Sequence, residues 1–236
     1  MIKLICTSIS IVLLAISAPS FAQSYTIKSV EGVPVKVKLA RGKSWRQLSV
    51  SITTDSVILN DCDQIKAVHV LKGGFLEIAY LGRGGTGFTG GSIMILSVSK
   101  HKLNVALVVD AFASSFAPKM DEIPYNERYY KATFTLTGTN ESNYKMLVKV
   151  TERSTSTPRS RNDYNRHSQP VLNFDPAQNV FYNIRKPIDH VFMLGDAGKI
   201  HLKGLLPMIV LAGETYYYFK GTWYKQGLSD DLFTEY

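Results

Sequence analysis

Apolar residues along this 236-residue chain recur mostly at every second position. Val33, Val35, Val37 and Leu39 alternate with Pro34, Lys36 and Lys38, and Leu48, Val50 and Ile52 alternate with polar partners. Phe134 and Leu136 do the same between Thr133, Thr135 and Thr137. A period of two predicts strands with one wet face, because successive side chains on a strand point to opposite sides. Three further runs, residues 93–98, 105–109 and 205–211, are apolar almost throughout. They predict strands covered on both faces. Turn-forming clusters such as Gly73-Gly74, Gly138-Thr139-Asn140 and Gly213-Glu214 separate the runs at short intervals. Only residues 111–120 suit a helix, a short one that Pro118 would end. The expectation is an all-β fold, an antiparallel β-sandwich-like assembly of one or two β units.

The same pattern divides the chain. Residues 1–22 open with Lys3, continue through an apolar run over 9–16 and end in Ser20-Phe21-Ala22. A charged start, an apolar middle and a small-x-small end mark a cleavable secretory signal peptide, cut before Gln23. The apolar stretch is shorter than the roughly 20 residues a membrane-spanning helix needs, and no later run reaches that length. Residues 23–151 form the predicted main β unit. Residues 152–170, rich in Ser, Thr, Arg and Asn, read as a polar loop or linker. Residues 171–236 make a C-terminal β unit, expected to continue the main one. Export places the chain in the periplasm or outside the cell.

Charge adds a candidate surface. Lysine and arginine number 27 against 19 acidic residues, a net +8, which becomes +7 once Lys3 leaves with the signal. A basic exported protein can lie against anionic surfaces such as acidic lipid head groups or acidic polysaccharide. Between residues 28 and 46 six basic residues meet only Glu31. Lys36, Lys38, Arg41 and Lys43 are the basic-patch candidates there. A second group, Arg153, Arg159, Arg161 and Arg166, falls in the polar stretch.

Six glycines within residues 82–91 can expose backbone N–H groups to an anion, with Arg83 beside them. No Lys-Ser/Thr pair follows, however, and residues 93–98 read as strand where a phosphate loop requires a helix. A hairpin connection carrying Arg83 and Phe88 toward a ligand is the better account. Tyr216, Tyr218 and Trp223 form an aromatic set that can stack on sugar rings if exposed, or pair across strands inside a sheet. The five histidines show no metal-ligand spacing, and no cofactor motif is present. Cys62 is the one cysteine after the signal and lies between Asp61 and Asp63, a setting that raises a thiol pKa and predicts a structural role. Ser92, Asp110 and His101 supply the residue types of a catalytic triad, but nearly any chain of this size does.

These observations favour an exported, non-enzymatic β protein that binds a protein or an anionic envelope component, with no nucleic-acid partner. An exported hydrolase of an envelope polymer is the rival, since carboxylate-based hydrolases need no short signature. A glycan-binding module built on Tyr216, Tyr218 and Trp223 is the third reading. N-terminal sequencing of the mature protein is expected to start at or near Gln23. Intact Met1 in the extracytoplasmic fraction would overturn the export reading.

Overall fold

A computed structural model of the chain describes residues 22–236 apart from 45, 83–87, 118–124, 158, 160, 195–197 and 228–231. The predicted signal segment lies outside the described residues except for Ala22, and Arg83 lies outside them too. The described chain is built of strands joined by turns and short loops, with two single-turn helical segments, Lys72–Gly74 and Glu141–Asn143. The fold is all-β. Among the described residues no helix is long and apolar enough to cross a membrane.

The alternating N-terminal pattern becomes a four-stranded antiparallel meander of β1 (Ala22–Lys28), β2 (Pro34–Arg41), β3 (Leu48–Ser51) and β4 (Ser56–Leu59). Val37, Leu39, Leu48 and Val50 are buried, while Lys36 and Lys38 stand on the opposite, exposed face. A second sheet of nine strands follows. It comprises β5 (Gln64–Val70), β6 (Leu76–Leu81), β7 (Phe88–Ser99), β8 (Lys102–Ala117), β9 (Tyr125–Thr137), β10 (Lys145–Thr157), β11 (Tyr164–Ser168), β12 (Val171–Asp175) and β13 (Val180–Tyr182). The third sheet runs in chain order through β14 (Ile184–Leu194), β15 (Lys199–Leu211), β16 (Glu214–Phe219), β17 (Thr222–Gln226) and β18 (Leu232–Glu235). It closes on itself where Met193 and Leu194 pair in parallel with Leu232 and Phe233.

The doubly apolar runs lie where the layers meet. On β7, Ile93 and Ile95 join a core shared with Ile209, Leu211, Tyr216 and Trp223 of the third sheet. Met94, Leu96 and Val98, on the other face, join a core with Val37, Leu39 and Val50 of the first sheet. A third, smaller core of Phe192, Leu202, Leu206, Met208, Tyr217 and Tyr224 fills the closed third sheet. Residues 205–211 are therefore not buried throughout. Leu205 is 59% exposed, because it pairs with Pro187 on the outside of that sheet. Residues 111–117 continue β8 instead of forming a helix, and residues 118–124 lie outside the described residues.

Much of the polar stretch 152–170 is strand. Its first residues extend β10, and β11 folds back antiparallel against them, pairing Val150 with Ser168 and Ser154 with Tyr164. Beyond Pro170, whose carbonyl accepts the Val148 N–H, β12 takes over the same edge of β10. Strand pairing here needs no apolar face. Arg166 stacks over Tyr164, Arg153 over Tyr129, and the Ser156 hydroxyl donates to Asp163, while nearly all of β11 is exposed. Limited trypsin digestion is expected to cut first at Arg159 or Arg161 in the turn of this arm. Arg153 and Arg166, held in paired strands, should be cut later. Earlier cleavage at Arg153 would show that the arm is not paired.

Candidate functional site

Two regions gather the chemistry-bearing residues. The first is the outer face of the N-terminal sheet. Register places Thr26 beside Lys36, Lys28 beside Pro34, and Ser24 beside Lys38, which in turn neighbours Ser51 and then Ser56. The outward positions of the four strands are Ala22, Ser24, Thr26, Lys28, Pro34, Lys36, Lys38, Ala40, Ser49, Ser51, Ser56 and Ile58. Three are lysines, five carry hydroxyls and none is a carboxylate. The nearest acids are turned away. Glu31 accepts the Lys100 N–H at 2.8 Å, a bond that lowers its pKa. Asp55 accepts the N–H groups of Ser56 and Leu103, both at 2.9 Å.

Not all the basic-patch candidates belong to this face. Arg41 occupies the inward row of β2, and its guanidinium donates to the Cys62 and Asp63 carbonyls, both at 3.1 Å. It fixes a loop. Lys43 is exposed in the loop after β2. Lys28 completes the face in their place. Alternation alone could have found it, since Lys28 stands one step out of phase with the buried Ile27.

The second region surrounds Asp110. Between β7 and β8 the register slips, with Gly91 opposite Phe112 and Ser92 opposite Asp110. Ala111 is the extra residue of a β-bulge, a device that re-aims neighbouring side chains. The main-chain groups of Asp110 bond to tyrosines instead. Its N–H donates to the Tyr216 hydroxyl, and its C=O accepts from Tyr130, both at 3.2 Å. Its carboxylate accepts from Ser92 at 3.1 Å and from Tyr236 at 3.0 Å on one oxygen, and from the Lys225 ammonium on the other. Burial works against the charge of Lys225, but Asp110 and then Glu214 outweigh it and hold its pKa above the ordinary lysine value. Burial first, and the charge of Asp110 after it, push the phenols of Tyr130, Tyr216 and Tyr236 far upward. Tyr80 is raised by burial as well. All four phenols stay protonated at neutral pH.

A cavity of about 240 Å³ opens beside this network, with Tyr80, Phe88, Ser92, Asp110, Phe112 and Tyr236 in its wall. The end of the glycine-rich run makes room for it. A Cβ on Gly91 would lie 2.6 Å from the Phe112 ring, and one on Gly90 would lie 3.0 Å from the Phe88 ring. Gly90 and Gly91 are thus strand residues over which two rings fold, and Phe88 is 46% exposed. A larger groove of about 560 Å³, lined by Val33, Val35, Ile52, Val98 and His101, sits at the far end of the sheets. Lys36, Lys100 and the hydroxyls of Ser29, Thr53 and Thr54 share its lining with these aliphatic side chains, and its Glu31 is already bonded to the Lys100 N–H.

The aromatic run of β16 is covered on both sides. Tyr216 and Trp223, each 1% exposed, face the large sheet with the half-buried Tyr218, and the Trp223 indole donates to the Val105 carbonyl at 2.9 Å. Tyr217 and Tyr224 look into the closed sheet. No exposed aromatic ladder results. Of the three candidates, only Tyr216 approaches the polar network. Ser92 and Asp110 do meet, but His101 forms the turn at the other end of β8. Nine residue steps along the strand, about 30 Å at about 3.3 Å each, separate it from Asp110, so no triad assembles. Cys62 is buried, and burial, with a smaller push from Asp63, raises its thiol pKa to about 11. No cluster of metal-ligand residues occurs among the described residues.

Comparison of the chain with known protein families, with curated proteins and with solved structures finds no match in any of the three. The Asp110 network is legible only as an anomaly, a carboxylate directly after five apolar residues in a strand buried on both faces. Asp110→Asn should lower stability by about 2–3 kcal/mol, because it leaves part-buried donors without their charged acceptor. Asp189→Asn, which breaks an exposed pair with His201 and Lys203, should cause no measurable change. Urea unfolding of the two variants makes the comparison, and equal midpoints would show that the network contributes nothing.

Proposed function

We propose that this chain is an exported, non-enzymatic β protein of the cell envelope or extracellular space. On this reading it holds an anionic envelope component against the outer face of its N-terminal sheet. One observation carries the reading: the twelve outward positions hold Lys28, Lys36 and Lys38 among five hydroxyls, without a carboxylate. Opposite charges interspersed with the lysines would cancel the field beyond the surface. Here they are missing from the face, and the adjacent Glu31 and Asp55 are bonded to main-chain N–H groups. Serine and threonine hydroxyls beside lysines add hydrogen bonds to the same phosphate, sulfate or carboxylate oxygens. Export rests on the signal-like pattern of residues 1–22.

The hydrolase reading fits the geometry less well. Asp61 and Asp110 border one cavity, but glycoside hydrolysis needs one carboxyl group kept protonated as an acid. Both oxygens of Asp110 are already occupied, one by Ser92 and Tyr236 and the other by Lys225.

Binding of the mature protein to acidic lipid vesicles and to an acidic polysaccharide, measured over a salt series, tests the proposal. Attraction should weaken as the Debye length shrinks from about 30 Å at 0.01 M to about 3 Å at 1 M. At about 1 kcal/mol per lysine near an anionic surface, the triple variant Lys28→Gln, Lys36→Gln, Lys38→Gln should bind roughly a hundredfold more weakly at low salt. Its thermal midpoint should be unchanged, because these side chains are exposed. Equal binding by the variant, or no binding to either ligand at low salt, would reduce the lysines to a solubility role.

A further inference from the structure

The cavity beside Asp110 differs in character from the lysine face. Four aromatic side chains, Tyr80, Phe88, Phe112 and Tyr236, contribute to its lining, together with the carboxyl residues Asp61, Asp110 and Glu235. No lysine, arginine or histidine belongs to that lining among the described residues. Counter-charges approach from outside it. Arg46 pairs with Asp61 and Asp63, Lys225 pairs with Asp110 and Glu214, and Arg41 holds the main chain at residues 62 and 63. Among the described residues five carboxylates thus face three cations. The glycines at 90 and 91 leave the Phe88 and Phe112 rings free to fold over the strand.

Aromatic faces attract cations through the ring quadrupole, and nearby carboxylates reinforce that attraction. An inorganic or organic anion is repelled by the same wall. A sugar gains stacking, but the oxygens of Asp110 that it would need are already taken by Ser92, Tyr236 and Lys225. At about 240 Å³ the cavity is smaller than the usual range of roughly 300–1,000 Å³ for drug-sized ligands, so it suits a head group and not a polymer. We propose that this cavity is a binding site for a small organic cation of the alkylammonium class, seated against its aromatic wall. The site is independent of the lysine face and can stand or fall without it.

Calorimetric titration of the full mature chain tests the assignment, using choline, its neutral isostere 3,3-dimethyl-1-butanol, and glucose at constant ionic strength. Choline should bind saturably at one site, and the isostere at least tenfold more weakly. Phe88→Ala, at a half-exposed position, should weaken choline binding about tenfold while leaving the thermal midpoint unchanged. Phe112→Leu should weaken it too, which keeps the test open if one variant misfolds. Absence of saturable choline binding, equal affinity for the isostere, preference for glucose, or folded variants of both phenylalanines with unaltered affinity would each overturn the proposal.

Discussion

Strands β7 and β8 carry large apolar side chains on both faces, and a single facing layer can bury only one of them. Each exposed Ile, Leu, Met or Val side chain would forfeit roughly 1.5–3 kcal/mol of burial. The fold answers by placing a sheet on each side. The N-terminal meander covers Met94, Leu96 and Val98, and the closed C-terminal sheet covers Ile93 and Ile95. Chain order follows from this constraint. The first strands come before the central hairpin and the last strands after it, so each covering layer is supplied by one end of the chain. The outward faces of both layers are then free of packing duty. That freedom allows β1 and β2 to present lysines and hydroxyls where a two-layer sandwich of the same length would need more apolar surface.

Double burial also explains why Asp110 is tied down so completely. A carboxylate in a strand covered on both sides must find donors or neutralise. The bulge at Ala111 breaks the ladder at that point, and hydroxyls from three strands and the C-terminal tyrosine converge on the gap. Lys225 supplies the counter-charge from β17. The network thereby stitches the third sheet to the second, as the Trp223–Val105 bond does further along. A polar cluster with every partner present favours one register over its neighbours. Sliding the layers by one residue would strand Asp110 among apolar side chains.

The parts of the structure visible in the sequence are those governed by nearest-neighbour geometry. Alternation over residues 33–39 shows which side chains of β2 face in, and continuous apolarity over 93–98 shows that β7 is covered twice. The pairing of Tyr216 with Tyr218 on one face is equally local. Whether that face is wet is not, because the large sheet that covers it lies about a hundred residues earlier in the chain. For the same reason Leu205, in an apolar run, ends up outside and paired with Pro187. The polar stretch 152–170 reads as a loop because burial signals are missing from it. Backbone pairing does not require burial, and stacked Arg–Tyr contacts stabilise an exposed arm without an apolar face. The Asp110 cavity depends on a bulge and on two glycines whose role appears only when rings fold over them.

The two surfaces proposed for binding carry opposite charge, and the architecture keeps them apart. The lysines lie on the outer face of the first layer, whereas Asp61, Asp110 and Glu235 border a cavity lined by the end of β4, by β6 to β8 and by the C-terminal residues. Charges separated by more than a Debye length, about 8 Å at physiological ionic strength, scarcely interact through solvent. Separation beyond that length would let each surface keep its own sign of field despite the net positive charge of the chain. On the two proposals, an anionic partner approaching the meander would meet the lysines first, and a small cation entering the cavity would meet the carboxylates. Had the acids been scattered among Lys28, Lys36 and Lys38, neither field would extend beyond the surface. Segregation of charge, more than its total, is what would give each face the distinct ligand chemistry proposed for it.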